Sequence, residues 1–537
     1  MNARSGGPVG LPGDGVRSNF GHVSADPTEV EGEEGSDDDA EHGGLTGIVL
    51  RGASLAGGGY ALAQALNLGV YIVLSRLLTP TDFGEYAAAT VLFGFAVLIT
   101  ESGMQAALIQ RKDRLDEARS TAVVSTLVGG VLAVLVGVAL APLLGALFDS
   151  DRITELALVS SGLVLVNVLA VVPNSVLQRK FSFLRLIVVD PLEVVVFGAV
   201  SIYAAAQGLG PWALVIGNYA GLASSTITSW IFARWRPRLG QASFGMWREL
   251  VAYGRHVIVA TLIWRGGEQA ADTVIIGKGL GTAALGQFRY AFRIATLPYQ
   301  ALLAAAGYVI FPALARMQHD RVRLEAAFVR SFRWLVTLGV PAGLILVPLG
   351  PATAELVFGD IWRPAGYAAA AMCGYAVGNA VVTAVGEMLK AIGTVKPLTP
   401  MHSISTVVTI IGMLALVPFG LTAAAAGLSL GALAGAAYAV VVAKRVTALA
   451  FGDIWSELWP PLVAGSVMAL AVLPLDRFVI EPAGHGTVVG LLLLTAEGLA
   501  CVLLFTAVLG ALAPQTVREI GGTLREKLRR APRETTA

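Results

Sequence analysis

Residues 120–147 read STAVVSTLVGGVLAVLVGVALAPLLGAL, 28 consecutive positions without a charge. A helix rises 1.5 Å per residue, so about 20 such residues suffice to cross the hydrocarbon core of a bilayer. Working outward, similar stretches recur between short polar breaks. They cover 52–76, 86–109, 120–147, 153–177, 186–206, 210–233, 250–276, 288–312, 330–350, 366–389, 397–418, 421–443, 460–476 and 486–512, fourteen in all. The stretch from Pro460 is short and flanked by prolines. Run lengths of this kind exclude a barrel, whose strands need only about ten alternating residues. The whole 537-residue composition agrees: 55% of residues are hydrophobic and 14% charged, against about 25% charged in a soluble domain, and mean hydropathy is +0.70. The expected fold is an all-α polytopic membrane protein.

The ends differ from the middle. Residues 1–45 carry ten acids against Arg4 and Arg17 and are rich in glycine, the composition of a disordered acidic tail. They lack the basic start, apolar core and cleavage site of a signal peptide, so the first apolar stretch is expected to insert as a retained helix. Residues 513–537 form a basic tail. Lys plus Arg (38) nearly balances Asp plus Glu (37), so global charge gives no argument for nucleic acid. Cys373 and Cys501 both sit in apolar runs, which argues against a disulfide scaffold or a cysteine-held metal. There is no Walker-type loop, HExxH or CxxC, and the six histidines are scattered without ligand spacing.

Lys and Arg are retained on the cytoplasmic side of membrane proteins. With both termini inside, the cytoplasmic connections and C-terminal tail hold 26 basic residues. They include Arg111, Lys112, Arg114 and Arg119 in one connection and Arg234, Arg236, Arg238 and Arg248 in another. The outer connections and helix starts hold seven: Arg76, Arg152, Lys278, Arg289, Arg293, Arg363 and Arg477. Both termini are therefore expected in the cytoplasm. A shift of 202 residues superimposes the first span and its following turn on the seventh, Gly52 on Gly254, Asn67 on Gln269, Arg76 on Lys278, Gly84 on Gly286 and Tyr86 on Phe288. Six spans separate the copies, so the repeats face the same way, about an axis along the membrane normal. The expected organisation is a tail at 1–45, a six-helix lobe at 46–248, a second at 249–450, two additional helices at 451–512, and the tail at 513–537.

Charges inside the spans are the informative exceptions, because each costs about 2.5–3.5 kcal/mol at a helix centre on insertion scales. The seventh span contains Trp264-Arg265-Gly266-Gly267-Glu268-Gln269-Ala270-Ala271-Asp272. Arg265, Glu268 and Asp272 are spaced three and four apart, hence along one face. Two readings stand: a hydrated functional face, or an Arg265–Glu268 pair that neutralises itself within a packed bundle. The eighth span opens with Arg289 and Arg293, again four apart. Glu101 in the second span is either functional or paired. Asp190, Glu193, Glu387 and Lys390 lie near the cytoplasmic boundary, where snorkelling or local pairing accounts for them. Glu497 lies near mid-membrane without an evident partner. Asn67, Asn167, Asn174, Asn218 and Asn379 read as helix–helix hydrogen-bonding groups.

The segment Leu74-Ser75-Arg76-Leu77-Leu78-Thr79-Pro80-Thr81-Asp82-Phe83-Gly84-Glu85-Tyr86, followed by Glu101-Ser102-Gly103 and Ala107-Leu108-Ile109-Gln110-Arg111-Lys112, resembles the N-terminal pattern of Wzx-type polysaccharide flippases. These form the polysaccharide transporter branch of the multidrug/oligosaccharidyl-lipid/polysaccharide exporter superfamily. The second copy agrees through Asp272-Thr273-Val274-Ile275-Ile276-Gly277-Lys278, Ala284-Leu285-Gly286, Leu297-Pro298 and Phe311-Pro312-Ala313-Leu314-Ala315-Arg316. The resemblance covers about residues 45–450 and rests on the order and spacing of these segments.

The resemblance implies a V-shaped pair of six-helix lobes, alternating access, and movement of a polyprenyl-diphosphate-linked oligosaccharide from the inner to the outer leaflet of the cytoplasmic membrane. Helices 1, 2, 7 and 8 line the cavity of that fold, which brings Arg265, Glu268, Asp272, Glu101, Arg289 and Arg293 toward it. An arginine suits a diphosphate because its planar guanidinium donates paired hydrogen bonds to phosphate oxygens. The expected partners are that lipid-linked glycan, membrane lipids, and a polysaccharide polymerase with other assembly proteins. No cofactor or enzymatic activity is expected, and a proton or sodium gradient is the candidate driving force. Two rivals remain at this point. A cation-coupled drug exporter of the same superfamily would show an acidic ion site and few cavity arginines; a membrane-bound glycan transferase or ligase would need a long external catalytic loop.

Overall fold

A computed structural model describes residues 58–522 apart from 60, 112, 180–184, 262–266, 306–309, 318, 448, 481 and 520. The acidic tail at 1–45, most of the basic tail, and Arg265 lie outside the described residues. The described residues belong to one compact unit within 52–537 and are helical apart from short connections, without a strand among them. In chain order, α1 (Ala61–Leu77) is followed by α2 (Pro80–Ala89), α3 (Val91–Gln110), α4 (Leu115–Phe148), α5 (Asp151–Ser161), α6 (Leu163–Arg179), α7 (Asp190–Ala206) and α8 (Trp212–Ala233). Then come α9 (Phe244–Thr261), α10 (Gly267–Leu280), α11 (Thr282–Ala305), α12 (Phe311–Arg316), α13 (Arg321–Leu344), α14 (Leu346–Thr353), α15 (Arg363–Ala371) and α16 (Cys373–Ala391). The chain closes with α17 (Leu398–Leu416), α18 (Leu421–Val446), α19 (Phe451–Leu475) and α20 (Thr487–Leu512).

Among the described residues seven helical stretches are long and apolar enough to cross a membrane, or up to ten if each of three bent pairs counts as one span. This is a multi-span membrane protein. The 34-residue α4 shows why: Leu132, Leu135 and Leu143 are each more than half exposed. A helix apolar on its outer face as well as its inner one is stable only in lipid. The bends have identifiable causes. Between α1 and α2 the axis turns by 119°. There Pro80 opens α2, and Thr79 caps it by accepting from the Asp82 backbone while the Asp82 carboxylate accepts from Thr79 N at 2.9 Å. A proline at the first helical position has no donor to lose, so the new helix starts where the old one cannot continue.

One boundary departs from expectation. The helix expected over 460–476 begins at Phe451 and runs through Pro460 and Pro461. Its first turns are held to α13 by Arg333, which donates to both Glu457 oxygens at 2.6 and 2.7 Å and to Glu519 at 3.0 Å. That anchorage, together with the tolerance of membrane helices for proline, places the start ahead of the prolines.

The largest buried cluster joins both halves of the chain. Tyr290 of α11 stacks on Trp362 with ring centroids 3.8 Å apart, and Phe83 of α2 meets Tyr290 edge-on at 4.9 Å. Ser75 Oγ donates to the Phe358 carbonyl at 3.0 Å, Trp362 Nε1 to the Ser75 carbonyl at 3.0 Å, and Arg76 to the Leu356 carbonyl at 2.9 Å. Lys278 pairs with Asp149 at 2.8 Å. In the same region α2 crosses the start of α11 backbone to backbone. A Cβ on Gly84 would stand 2.6 Å from the Thr282 carbonyl carbon, and one on Gly286 would stand 2.8 Å from that of Pro80. Ordinary contact between carbons is about 3.5–4.0 Å, so only glycine permits this crossing at either position.

Candidate functional site

Two helices face each other with polar stripes. On α11, Arg289, Arg293, Thr296 and Gln300 recur at intervals of three and four; on α1, Gln64, Asn67 and Tyr71 do the same. That spacing puts each set on one helical face. The faces meet. Arg293 donates to Asn67 Oδ1 at 2.9 Å, and its guanidinium carbon lies 3.1 Å from the centroid of the Tyr71 ring. Gln64 donates to Gln300 at 3.3 Å. Between them opens a cavity of about 390 Å³ lined by Gln64, Asn67, Arg289, Arg293, Thr296 and Gln300. A smaller one of about 190 Å³ adjoins it past Tyr71, Tyr86 and Tyr290. The Tyr86 hydroxyl on its wall accepts from Asn218 of α8 at 2.8 Å.

The two arginines have different electrostatic surroundings. Arg289 donates to both oxygens of Asp272 at 3.3 and 3.2 Å and to Thr273 Oγ1, while Thr273 itself donates to Asp272 at 3.2 Å. Asp272 is 5% exposed, and a buried carboxylate needs such a partner to keep its charge. Arg293 meets no carboxylate within ion-pair distance among the described residues. Its contacts, an amide oxygen and an aromatic face, stabilise a cation without neutralising it; the aromatic one is worth about 0.5–2 kcal/mol. Among the described residues the cavity therefore carries a positive charge on a fork-shaped donor, suited to a phosphate or carboxylate.

The structure thus brings together three of the residues expected from sequence, Asp272, Arg289 and Arg293. Asp272 is paired across to α11 rather than along its own helix. Glu101 belongs to α3 and Glu268 to α10, their side chains lying outside the described residues as Arg265 does. Sequence reasoning missed Gln64, Tyr71, Thr296 and Gln300; Asn67, expected as a helix–helix hydrogen-bonding group, is one, accepting from Arg293 across α1 and α11. The three-and-four spacing of polar residues on α1 and α11 was the signal that could have found them. Among the described residues no group of three histidine, cysteine or acidic side chains could hold a metal ion.

Residues 73–366 match the family described as polysaccharide biosynthesis protein. Over 326 residues the chain is 24% identical to the teichuronic acid biosynthesis protein TuaB of Bacillus subtilis (strain 168), covering 60% of this chain and 66% of that one. Over 301 residues it is 25% identical to the succinoglycan biosynthesis transport protein ExoT of Rhizobium meliloti (strain 1021), covering 54% and 58%. The match spans less than two thirds of either relative. Among solved structures, the lipid II flippase MurJ in an inward closed conformation superimposes with a TM-score of 0.70 at 14% identity, over 85% of this chain and 99% of that one. At that identity the likeness is one of fold.

Proposed function

The chain belongs to the polysaccharide biosynthesis protein family, and from that premise we propose that it is a flippase. It moves a polyprenyl-diphosphate-linked oligosaccharide from the cytoplasmic to the outer leaflet by alternating access, without catalysing a reaction. The observation that carries this reading is Arg293, a guanidinium without a carboxylate partner among the described residues, in a polar cavity between α1 and α11. A diphosphate can be held there by paired donors, and Gln64, Thr296 and Gln300 supply further hydrogen bonds. A cavity whose described residues present a guanidinium disfavours a cation exporter, whose site would carry the opposite charge.

The organisation proposed with it is fourteen spans with both termini cytoplasmic, lobes at 46–248 and 249–450, and an added helix pair at 451–512. The reciprocal glycine contacts support the repeat. Gly286 and Thr282 stand 202 positions after Gly84 and Pro80, so the approaches Gly84 to Thr282 and Gly286 to Pro80 exchange partners as a twofold operation requires. Rocking of two such lobes, with this crossing as the gate that closes one side and parts to open it, exposes the cavity to either side in turn. Arg265, three and seven positions before Glu268 and Asp272 in the sequence, is the proposed first station for the diphosphate, and Arg289 and Arg293 the second. A proton or sodium gradient drives the cycle, in the cytoplasmic membrane and alongside a polysaccharide polymerase.

The test is delivery in reconstituted vesicles. A fluorescent polyprenyl-diphosphate oligosaccharide should reach the opposite leaflet at a rate set by protein content, while a lipophilic cationic drug should not be transported. Drug transport without glycan-lipid delivery would reverse the reading. For Arg265, Arg265→Ala should abolish delivery and Arg265→Lys should restore part of it. Robust delivery by Arg265→Ala combined with Glu268→Ala would reduce Arg265 to a structural partner of Glu268.

A further inference from the structure

A second cleft opens between α16 and α17, with Tyr299 of α11 on its wall. It encloses about 450 Å³, a size ordinary for small-molecule sites, and no residue lines both it and the cavity around Arg293. On α16 the lining residues Asn379, Thr383, Glu387 and Lys390 recur at intervals of three and four, and on α17 Thr399, Ser403 and Thr406 do the same. A polar stripe on each of two membrane helices lining one cleft must be hydrated or occupied, because lipid offers its groups nothing to bond.

The α17 hydroxyls behave unlike those turned to lipid. A helical threonine can satisfy its own hydroxyl by donating to the carbonyl four residues back, as the exposed Thr495 and Thr506 of α20 both do at 2.7 Å. Thr399, Ser403 and Thr406 make no such bond, nor any other among the described residues. Asn379 donates to the Tyr375 carbonyl at 2.9 Å, which leaves its Oδ1 open to a donor. Tyr299 and Thr383 share one hydrogen bond at 3.0 Å, so one of the two hydroxyl protons is still to be placed. Hydrogen-bonding capacity thus remains on all three helices.

Charge, by contrast, is already matched. Lys390 donates to Glu387 at 2.7 Å, and Glu387 is 5% exposed. A cation would have to displace Lys390, and an anion would lie against a buried carboxylate. Val382, Leu398 and the Tyr299 ring add apolar surface to the wall. The group that fits is uncharged, carries hydroxyls around its edge and presents C–H groups on its faces, which describes a sugar ring. We propose that the cleft is a subsite for a sugar of the lipid-linked glycan, held by the α17 hydroxyls and Asn379. The assignment rests on the flippase reading above. Tyr299 follows Arg293 by six residues, about 9 Å along α11, a spacing that sugars attached to a diphosphate can bridge.

The experiment measures binding to the full chain in lipid nanodiscs, separately from delivery. The probes are polyprenyl diphosphate without sugar and polyprenyl diphosphates carrying glucose, galactose or N-acetylglucosamine. The wild type should bind one or more of the sugared probes about tenfold more tightly than the bare one, the order that one or two hydrogen bonds provide. Ser403→Ala combined with Thr406→Val, which nearly keeps the volume of the wall, should remove that preference while the bare probe binds as before. Asn379→Leu should act alike, and decides if the double variant does not accumulate. Variants that keep the wild-type preference would place the sugar elsewhere and overturn the assignment. An equal loss of sugared and bare probes would overturn it too, by making the cleft a site for the lipid chain or a part of the packing. So would a wild type that prefers none of the sugared probes. The flippase reading fails by a different result, a wild type that binds these lipids and delivers none of them across reconstituted vesicles.

Discussion

Replacing Gly84 by alanine should shift the protein toward the conformation in which the ends of α2 and α11 are apart. The added Cβ would stand 2.6 Å from the Thr282 carbonyl carbon, with the carbonyl oxygen closer still. Restoring ordinary contact requires the two backbones to separate by about 1 Å. No flexible side chain can give way, because both sides of the contact are backbone. Overpacking of this kind costs about 1–3 kcal/mol. Since the cost falls only on the state in which these helices touch, the equilibrium should move by about 5- to 150-fold toward separation. Gly286→Ala meets Pro80 in the reciprocal way and should act alike. Gly69→Ala, with open space around its Cβ, is the control. Spin labels on cysteines replacing the exposed Asp151 and Asp360, with Cys373 and Cys501 removed, report the separation by pulsed electron paramagnetic resonance. Distance distributions for Gly84→Ala and Gly286→Ala that match Gly69→Ala would refute the claim that this crossing is the closed gate.

Asp272→Ala should lower the melting temperature markedly, since removing one partner of a buried ion pair costs about 3–5 kcal/mol; Asp272→Ala with Arg289→Ala should recover much of the loss, and equal melting points for single and double variants would mean the pair is not coupled. At the surface, the Arg111 and Arg114 guanidiniums hold the Glu249 carboxyl below its ordinary range. A carboxyl held low contributes stability that is present above its unfolded-state value and is lost as pH falls through the folded one. Glu249→Gln should therefore flatten the acid side of the melting-temperature profile with little effect at neutral pH, where exposed pairs contribute little; an unchanged acid limb would show that the contact does not persist in solution.

The apolar runs made the helices legible because each covers about a bilayer's thickness with few charges, as residues 120–147 of α4 do with none. The start of α19 was not, because Pro460 and Pro461 read as a boundary while the anchor that extends the helix, Arg333, lies on α13. In the site the same division holds. Arg289 and Arg293 stood out by their spacing, but periodicity reports the face a residue occupies and not the helix opposite. Hence Asn67 as the acceptor for Arg293, and Arg289 as the partner of Asp272, became visible only with the fold. Glu497 stands out in the sequence as a lone mid-membrane acid, but that it is buried, at 4% exposure, is visible only with the fold.

The central claim is that Arg293 holds the diphosphate of a glycan lipid in the cavity between α1 and α11, and initial delivery rates of Arg293 variants in reconstituted vesicles test it most directly. Arg293→Ala, present in the membrane at the wild-type level, should lose delivery of the diphosphate-linked lipid. Arg293→Lys should recover part of it, because it restores the charge without the paired donors or the stacking on Tyr71. Delivery by Arg293→Ala at the wild-type rate would contradict the account.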